Sequence, residues 1–186
     1  MHLLTPKRRS QVKVALRILE DPKLFEDLLR DAVFSEERTS VFSEEDLAKK
    51  IEMNVIRKLD GKPEGVPIGL AFCVFEEKDL PEHPGMGRRR SLLWTKDLND
   101  LKEKLAKILG VDAVEVPGLD EVLGQMEVGW AVGFDLSASF FQLPLMEGVQ
   151  KNFTFKDQNG DYYSYTTLPM GFWISCFVMQ NLFSAV

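Results

Sequence analysis

The sequence predicts an α+β fold, because helices and strands alternate along the chain. Three observations predict it. Apolar residues recur every three to four positions through the first third of the chain, which is the period of an amphipathic helix. Two pairs of strand-like stretches are each interrupted by turn-forming residues, as in β-hairpins. The chain closes with an apolar stretch that is too short to span a bilayer, and this stretch is expected to form a buried helix.

Two helices are predicted within residues 1–42, a segment that the sequence leaves unassigned. Pro22 is expected to begin the second of them, because proline fits the first turn of a helix. Six apolar residues are expected to face inward from these helices: Val12, Leu16, Leu19, Phe25, Leu28 and Leu29.

A third helix and a β-hairpin are predicted next. Ser43 is a candidate N-cap with acidic residues in the first turn after it, and Gly61 is expected to end the helix. Its inward residues are expected to be Leu47, Ile51 and Ile56. An apolar strand from Ile68 to Phe75 follows. The turn PEHPGMG separates it from a second strand, RRRSLLWTK, so arginines 88–90 are expected at a basic hairpin tip.

The remaining elements are predicted from similar signals. DLNDLKEKLAKILG is an amphipathic helix closed by Gly110, PGLDEVLGQM is a short helix, and WAVGFDL is a strand. The pair Asn159-Gly160 is typical of a two-residue hairpin turn and lies between two alternating aromatic strands. The closing helix, from Ile174 to Val186, is apolar on nearly every face and is expected to lie bare unless further strands cover it.

Composition excludes some function classes. The chain has 186 residues, 45% of them hydrophobic and 28% charged, and its net charge is −6. This charge argues against binding nucleic acid through overall attraction, so any such contact must use local basic groups. The N-terminal stretch MHLLTPKRRS turns basic before an apolar core develops, which predicts no signal peptide. We therefore expect an intracellular protein, nuclear or cytoplasmic, with no membrane partner.

The carboxylate of one residue, Asp135, lies where burial of an unpaired charge would be unfavourable. Asp135, in the stretch GFDLSASFFQLPL, ends an apolar strand, and a buried unpaired charge there would cost on the order of several kcal/mol. A lone aspartate after a strand is ordinarily a helix N-cap or a satisfied buried acid. The third explanation is a metal ligand, and the surrounding motifs favour it.

The sequence around Asp135 resembles the first half of the palm of reverse transcriptases. The first palm motif of that family is an aspartate at a strand end, an aromatic residue five positions later and Gln-x-Pro-Leu, which correspond here to Asp135, Phe140 and FQLPL. The next motif corresponds here to Leu168-Pro169-Met170-Gly171-Phe172, Ser175 and Gln180. An aromatic hairpin lies between the two motifs, as it does in the family. Cys176 stands where the family usually has proline.

The resemblance extends upstream to about residue 43. The stretches AFCVFEEKDL and RRRSLLWTKDLN are similar to the fingers hairpin of reverse transcriptases, which ends in an Arg-x-Leu-Asn-like signature, here Lys96-Asp97-Leu98-Asn99. The resemblance implies a right-hand polymerase fold, with fingers over residues 43–130 and a partial palm over 131–186, after an unassigned helical segment over 1–42. The motif spacing and the RRRSLLW block resemble retrotransposons of the LTR or tyrosine-recombinase type more than group II introns.

The resemblance implies a site for two Mg²⁺ ions and a deoxynucleoside triphosphate. Asp135 would be the catalytic, metal-binding acid, and the backbone carbonyl of Leu136 would face the ion that holds the triphosphate, since hard cations prefer oxygen ligands. Phe140 would stack under the incoming sugar and exclude a 2′-hydroxyl. The alternative for Phe140 is a ring that only packs in the core.

Further contacts to the dNTP follow from the same resemblance. The backbone of Ser139, the side chain of Met170 and the close backbone approach allowed by Gly171 would line the site. Arg90 would contact the triphosphate, a role that suits a guanidinium. The family has a lysine on the first fingers strand, and Lys78 is the candidate for it here.

Two more arginines, Arg88 and Arg89, are the candidates for nucleic-acid binding. An arginine triplet by itself is usually a solvated loop, so the assignment depends on the match to the fingers motif.

The resemblance implies a fragment of a retrotransposon RNA-directed DNA polymerase, a nucleotidyltransferase that acts on a primer with an RNA or DNA template and dNTPs. The family's other metal-binding acids lie in a Tyr-x-Asp-Asp hairpin, and the sequence contains no Asp-Asp pair. We therefore expect a chain truncated before that hairpin and the thumb, which needs the remaining palm and thumb to complete the fold and is inactive alone. The alternative is a non-catalytic remnant or domesticated domain that binds nucleic acid or a protein partner. An RNA-recognition-motif-like binder is disfavoured, because the aromatic stretch Tyr162–Tyr165 lacks the expected basic and glycine residues.

Overall fold

The protein is described by a computed structural model, which covers residues 5–77, 87–110, 124 and 138–183. The α+β class is confirmed. The helices are α1 (Pro6–Glu20), α2 (Pro22–Leu29), α3 (Glu44–Glu52), α4 (Lys96–Asp100), α5 (Lys102–Leu109), α6 (Glu147–Gln150) and α7 (Ser175–Phe183). The strands are β1 (Ile56–Lys58), β2 (Ile68–Glu77), β3 (Gly87–Trp94), β4 (Thr154–Lys156) and β5 (Tyr162–Tyr165). No helix in these ranges is long and apolar enough to cross a membrane.

The described strands form one five-stranded mixed sheet in the order β1-β5-β4-β2-β3. Strands β2 and β3 form an antiparallel hairpin, and β4 and β5 form another. The two hairpins are joined by a parallel pairing of β2 with β4, in which Ile68 lies opposite Thr154 and Gly69 opposite Phe155. The segments predicted as fingers and palm therefore share a continuous hydrogen-bonded sheet.

Aromatic rings link the N-terminal helices to the rest of the core. Phe25 on α2 contacts Phe153 edge to face, with ring centroids 5.6 Å apart, and Phe153 contacts Phe172 at 5.2 Å. All three rings are buried, and edge-to-face pairs of this kind add stability beyond the area that they bury. The N-terminal helices are thus part of the same hydrophobic core as the residues that follow β5.

The first two helices follow the sequence closely. Both have proline in the first turn, and their N-caps are Thr5 and Asp21, whose side chains accept hydrogen bonds from backbone amides of the first turn. Of the six residues expected to face inward, five are buried and Leu16 is half-buried.

Helix α1 packs against α7, which changes the expectation for the end of the chain. We expected the closing helix to lie bare, and this was wrong for one face of it. Phe177 and Val178 are buried, whereas Cys176 and Phe183 are exposed. The expectation failed because it assigned no partner to the N-terminal helices.

The third helix ends earlier than predicted. Ser43 is its N-cap, with the hydroxyl accepting from the amide of Asp46 at 3.0 Å, but the last helical residue is Glu52 rather than a residue near Gly61. Asn54 adopts a left-handed conformation with φ of 54°, which commonly ends a helix. Ile56 is buried, but from strand β1, and Ile51 is exposed rather than inward.

Both hairpins differ from the prediction in their turns. Arg89 and Arg90 are strand residues paired with Phe75 and Val74, so they do not form a tip, and the tip itself lies outside the described residues. The β4–β5 connection is longer than two residues: the amide of Gly160 donates to the carbonyl of Asp157. The Asp157 carboxylate accepts from the amides of Asn159 and Asp161, which stabilises this wider turn.

Of the other predicted elements, one helix is confirmed in part and two elements lie largely or wholly outside the described residues. The amphipathic helix before Gly110 is present but is divided at Leu101 into α4 and α5, and Gly110 ends it with φ of 67°. The predicted helix PGLDEVLGQM lies outside the described residues apart from the helical Gly124, and the predicted strand WAVGFDL lies wholly outside them.

Candidate functional site

The predicted site residues fall into two groups. Asp135, Leu136 and Lys78 lie outside the described residues, as does the side chain of Arg88. The others lie on three described parts of the chain: the β2–β3 hairpin, a 3₁₀ helix within the first palm motif, and the turn that follows β5.

Ser139 and Phe140 begin the 3₁₀ helix, Ser139–Gln142. The residue before it, Ala138, has φ of 50°, a left-handed conformation that is uncommon for a residue with a Cβ. The Phe140 ring is half-buried and packs against the hydrophobic core. The Phe140 side chain is thus partly fixed by packing and partly exposed.

Backbone hydrogen bonds tie the two palm motifs together. The amide of Leu168 donates to the carbonyl of Leu143 at 2.8 Å, and the amide of Leu145 donates to the carbonyl of Thr166 at 2.8 Å. These bonds join the segment directly after Phe140 to the start of the Leu-Pro-Met-Gly sequence. A shift of either motif would therefore be transmitted to the other.

The end of strand β3 contacts the Leu-Pro-Met-Gly turn directly. The amide of Leu93 donates to the carbonyl of Met170 at 2.7 Å. Gly171 has φ of 108°, and a Cβ at this position would lie 2.9 Å from the carbonyl carbon of Leu93 and closer still to its oxygen. Glycine is required here for both reasons, because a side chain is strained at this φ and has no space.

Asn99, at the end of α4, holds this turn with its side chain. Its Nδ2 donates to the carbonyl of Gly171 at 2.9 Å, and its Oδ1 accepts from the amide of Trp173 at 3.0 Å. The hydroxyl of Thr95 also donates to Oδ1, at 3.2 Å. From the sequence, Asn99 was expected to end the fingers signature, but no role was predicted for it. The signal that could have found it is an amide side chain closing that signature, since one carboxamide can both donate and accept.

Arg89 and Arg90 face opposite sides of the hairpin, since successive strand residues alternate. The guanidinium of Arg89 pairs with Asp46 on α3 at 3.0 Å, and the Arg89 side chain is 61% exposed. An ion pair this exposed contributes little to stability. Arg90 is half-buried. The predicted triphosphate ligand and its neighbour therefore occupy different environments.

Lys50 on α3 is a buried charge that the sequence did not point to. It is 8% exposed, and its Nζ lies 4.7 Å from the centre of the Phe141 ring, the residue next to Phe140. Burial lowers the pKa of the Lys50 ammonium, and the nearby Cys73 and Asp46 partly oppose this shift. A lysine with a lowered pKa thus lies beside the 3₁₀ helix that carries Phe140.

The described residues do not supply a full set of ligands for a metal ion. No group of three or more His, Cys, Asp or Glu side chains lies together in the parts of the chain that the structure covers. The donor set for two Mg²⁺ ions would have to combine Asp135 with acids from outside these parts. The magnesium site remains a prediction.

No protein-family model matches the chain, and no curated protein matches it. Solved structures do. The prototype foamy virus protease-reverse transcriptase (a selenomethionine-labelled CSH mutant) matches with a TM-score of 0.54 and 14% identity, over 98% of this chain and 27% of that one. The foamy viral protease-reverse transcriptase dRH in complex with double-stranded DNA matches with a TM-score of 0.49 and 15% identity, over 80% and 24%. The chain spans about a quarter of the length of these structures. The match to the prototype foamy virus structure shows that this chain has a fold like that of a reverse transcriptase.

Proposed function

We propose that the chain carries the fingers and the nucleotide-binding part of the palm of a reverse transcriptase. The protein to which this unit belongs would add deoxynucleotides to a primer on an RNA or DNA template. In this proposal the chain binds the dNTP and contacts the nucleic acid, and the remaining palm and thumb complete the active enzyme.

The main support for the proposal is that three motifs that resemble the family come together in space around the Leu-Pro-Met-Gly turn. Leu93, from the strand matched to the fingers hairpin, and Asn99, from the fingers signature, hold Met170 and Gly171 through hydrogen bonds of 2.7 and 2.9 Å. Leu143, from the first palm motif, holds Leu168 at 2.8 Å. Residues that match the family at separate points of the sequence are thus adjacent in space. A merely accidental match of short motifs would not require this adjacency.

The described residues have distinct tasks in the proposed site. The Phe140 ring would lie under the deoxyribose, where it would clash with a 2′-hydroxyl and has no group to hydrogen-bond one. Gly171 would let the base pair approach the backbone closely, and Met170 would pack beside it. Arg90 would bind the triphosphate through its guanidinium.

Asp135 and the carbonyl of Leu136 would hold magnesium in this site. When bound, the ions would stabilise the negative charge that develops on the phosphate oxygens during nucleotidyl transfer. Asp135 precedes the 3₁₀ helix that carries Phe140 by four residues in the sequence.

Salt-dependent binding to an RNA–DNA hybrid tests the proposal. The affinity of the full chain would be measured by fluorescence anisotropy between about 50 and about 200 mM salt, with the expectation that it falls as salt rises. Replacing Arg88 and Arg89 by serine should weaken binding about tenfold. It should also reduce the slope of log affinity against log salt concentration by about two. The matched control replaces two exposed lysines of α1 and α2, Lys13 and Lys23, by serine and removes the same charge.

Two results would contradict the proposal. One is the absence of salt-dependent binding by the unmodified chain. The other is an equal loss in the arginine and lysine variants, which would mean that only overall charge matters. Hybrid binding that is retained without any binding of dNTP would instead favour the non-catalytic alternative.

A further inference from the structure

A short segment between α2 and α3 is bonded to both hairpins of the sheet. The direct pairing of β2 with β4 covers two residue pairs, at the start of both strands. Further along the strands, Thr39 forms a parallel bridge with Lys156 on β4, and Val41 forms a parallel bridge with Phe72 on β2. We call residues 39–42 the strap, because they connect the two hairpins where β2 and β4 no longer pair with each other.

Ser40, at the centre of the strap, is hydrogen-bonded to both hairpins. Its amide donates to the carbonyl of Lys156 at 2.8 Å, and its hydroxyl accepts from the amide of Ala71, on β2, at 2.9 Å. Ser40 is fully buried, so water cannot readily replace either partner. Loss of the hydroxyl would leave the amide of Ala71 as a buried donor without an acceptor, which is costlier than loss of an exposed hydrogen bond.

The flanks of the strap are fixed to the β4–β5 hairpin. After the strap's centre, the ring of Phe42 stacks on Phe155 of β4, with centroids 5.5 Å apart. Before it, the carboxylate of Glu37 accepts from the hydroxyl of Tyr162 on β5 at 3.0 Å and pairs with Lys62. The bonds from the strap to β2 therefore attach the β2–β3 hairpin to a segment that is itself held on the other hairpin.

The two hairpins carry different parts of the proposed site. Arg90, the proposed triphosphate ligand, lies on β3 opposite a β2 residue three positions beyond Ala71, which is about 10 Å along the strand. Thr166, directly after β5, accepts through its carbonyl from the amide of Leu145, in the segment that follows Phe140. A rotation of one hairpin on the other would thus change the distance between Arg90 and Phe140.

We propose that Ser40 is a positioning residue for nucleotide binding. By bonding to both hairpins, it holds the guanidinium of Arg90 at the distance from Phe140 that separates the triphosphate of a nucleotide from its sugar. The strap would then be the contribution of the unassigned segment, residues 1–42, to the site. This inference rests on the proposed function and adds to it a residue that acts on the nucleotide through Arg90 without touching it.

A double-mutant cycle on the full chain tests this role. The affinity for dTTP would be measured by calorimetry in magnesium buffer, with a dideoxy-terminated primer on an RNA template. The four proteins are the unmodified chain, Ser40→Ala, Arg90→Gln and the double variant. We expect Ser40→Ala to weaken dTTP binding about fivefold when Arg90 is present and less than about twofold when it is glutamine. The two effects should not add, because both residues would act through the same contact.

Two controls separate positioning from a loss of stability. Thr39→Ala changes the exposed neighbour of Ser40 and should leave dTTP binding unchanged. Val14→Ala removes buried methyl groups from α1, so it should lower the melting temperature without changing the affinity for dTTP. If Ser40→Ala is poorly folded, the same cycle is run with Ser40→Cys, which nearly keeps the volume and has a weaker acceptor, and a smaller loss with the same lack of additivity is expected.

The outcomes separate this inference from the proposed function. If the unmodified chain binds dTTP and the losses from Ser40→Ala and Arg90→Gln add, or Arg90→Gln causes no loss, Ser40 does not act through Arg90. The inference is then wrong, while the binding of dTTP still supports the proposed function. Equal losses of dTTP affinity in Ser40→Ala and Val14→Ala would also overturn it, because binding would then follow stability alone. If the unmodified chain binds no dTTP, both the proposed function and the inference are wrong.

Discussion

Gly171 and Asn99 determine the shape of the candidate site at the scale of single residues. Gly171 brings the backbone of the Leu-Pro-Met-Gly turn against Leu93, and Asn99 fixes the turn from the other side with one donor and one acceptor. Both contacts involve backbone atoms, so they set the position of the turn rather than its chemistry. The site therefore depends on residues that would not themselves touch the nucleotide through their side chains.

Gly171→Ala should be strongly destabilising. The new Cβ would adopt a strained φ of 108° and overlap the carbonyl of Leu93, so we expect a loss of roughly 3 kcal/mol in the free energy of unfolding. Urea unfolding followed by tryptophan fluorescence measures it. The control is Gly61→Ala, since a Cβ at Gly61 would meet no atom within 4 Å, and a change within about 0.5 kcal/mol is expected there. Equal free energies of unfolding for the two variants would show that the turn does not contact β3 closely.

The sequence identified some of these residues and not others for physical reasons. Gly171 was predicted because the sequence matches the Leu-Pro-x-Gly motif there, in which glycine allows a close approach of the backbone. The hydrogen bond from Asn99 to Gly171 joins residues more than 70 positions apart, and no local sequence pattern predicts such a contact. Lys50 was missed because a lysine at a helical position is expected to be exposed.

Elements were predicted best where local and tertiary preferences agree. The amphipathic α1 and α2, with proline at their starts, needed no tertiary information. The boundary between α3 and β1 was wrong because helical spacing continues from Leu47 through Ile51, while the chain in fact turns at Asn54 and pairs with β5. The bonds that terminate the helix include the amide of Val55 donating to the carbonyl of Lys50 at 2.9 Å.

The packing of α1 against α7 gives a prediction at the element scale. Ile18 is fully buried on α1, so Ile18→Ala should cost about 2 to 4 kcal/mol in the free energy of unfolding through lost burial and the cavity left behind. It should also increase the binding of a hydrophobic dye if α1 loosens from α7. Thermal melts and dye fluorescence measure the two effects. Lys13→Ala, an exposed change on the same helix, should leave both nearly unchanged; if Ile18→Ala did the same, α1 would not be part of the core.

At the scale of the whole molecule, the mixed sheet joins the segments predicted as fingers and palm. The parallel pairing of β2 with β4 was not predictable from sequence spacing, because it joins residues more than 80 positions apart. The α+β class and the two hairpins were predictable, since each depends on local turns and periodicity. The likeness to a reverse transcriptase in the arrangement of these elements agrees with the motifs at the level of the fold.

The proposed function depends most on whether the site prefers a deoxyribose to a ribose. Binding of dTTP and of the matching ribonucleotide would be compared in magnesium buffer, with a dideoxy-terminated primer on an RNA template, for the full chain and for Phe140→Ala. We expect the unmodified chain to bind dTTP about tenfold more tightly than the ribonucleotide, a difference of about 1.4 kcal/mol, and Phe140→Ala to lose this preference. Equal binding of both nucleotides by the unmodified chain, or binding of neither, would contradict it.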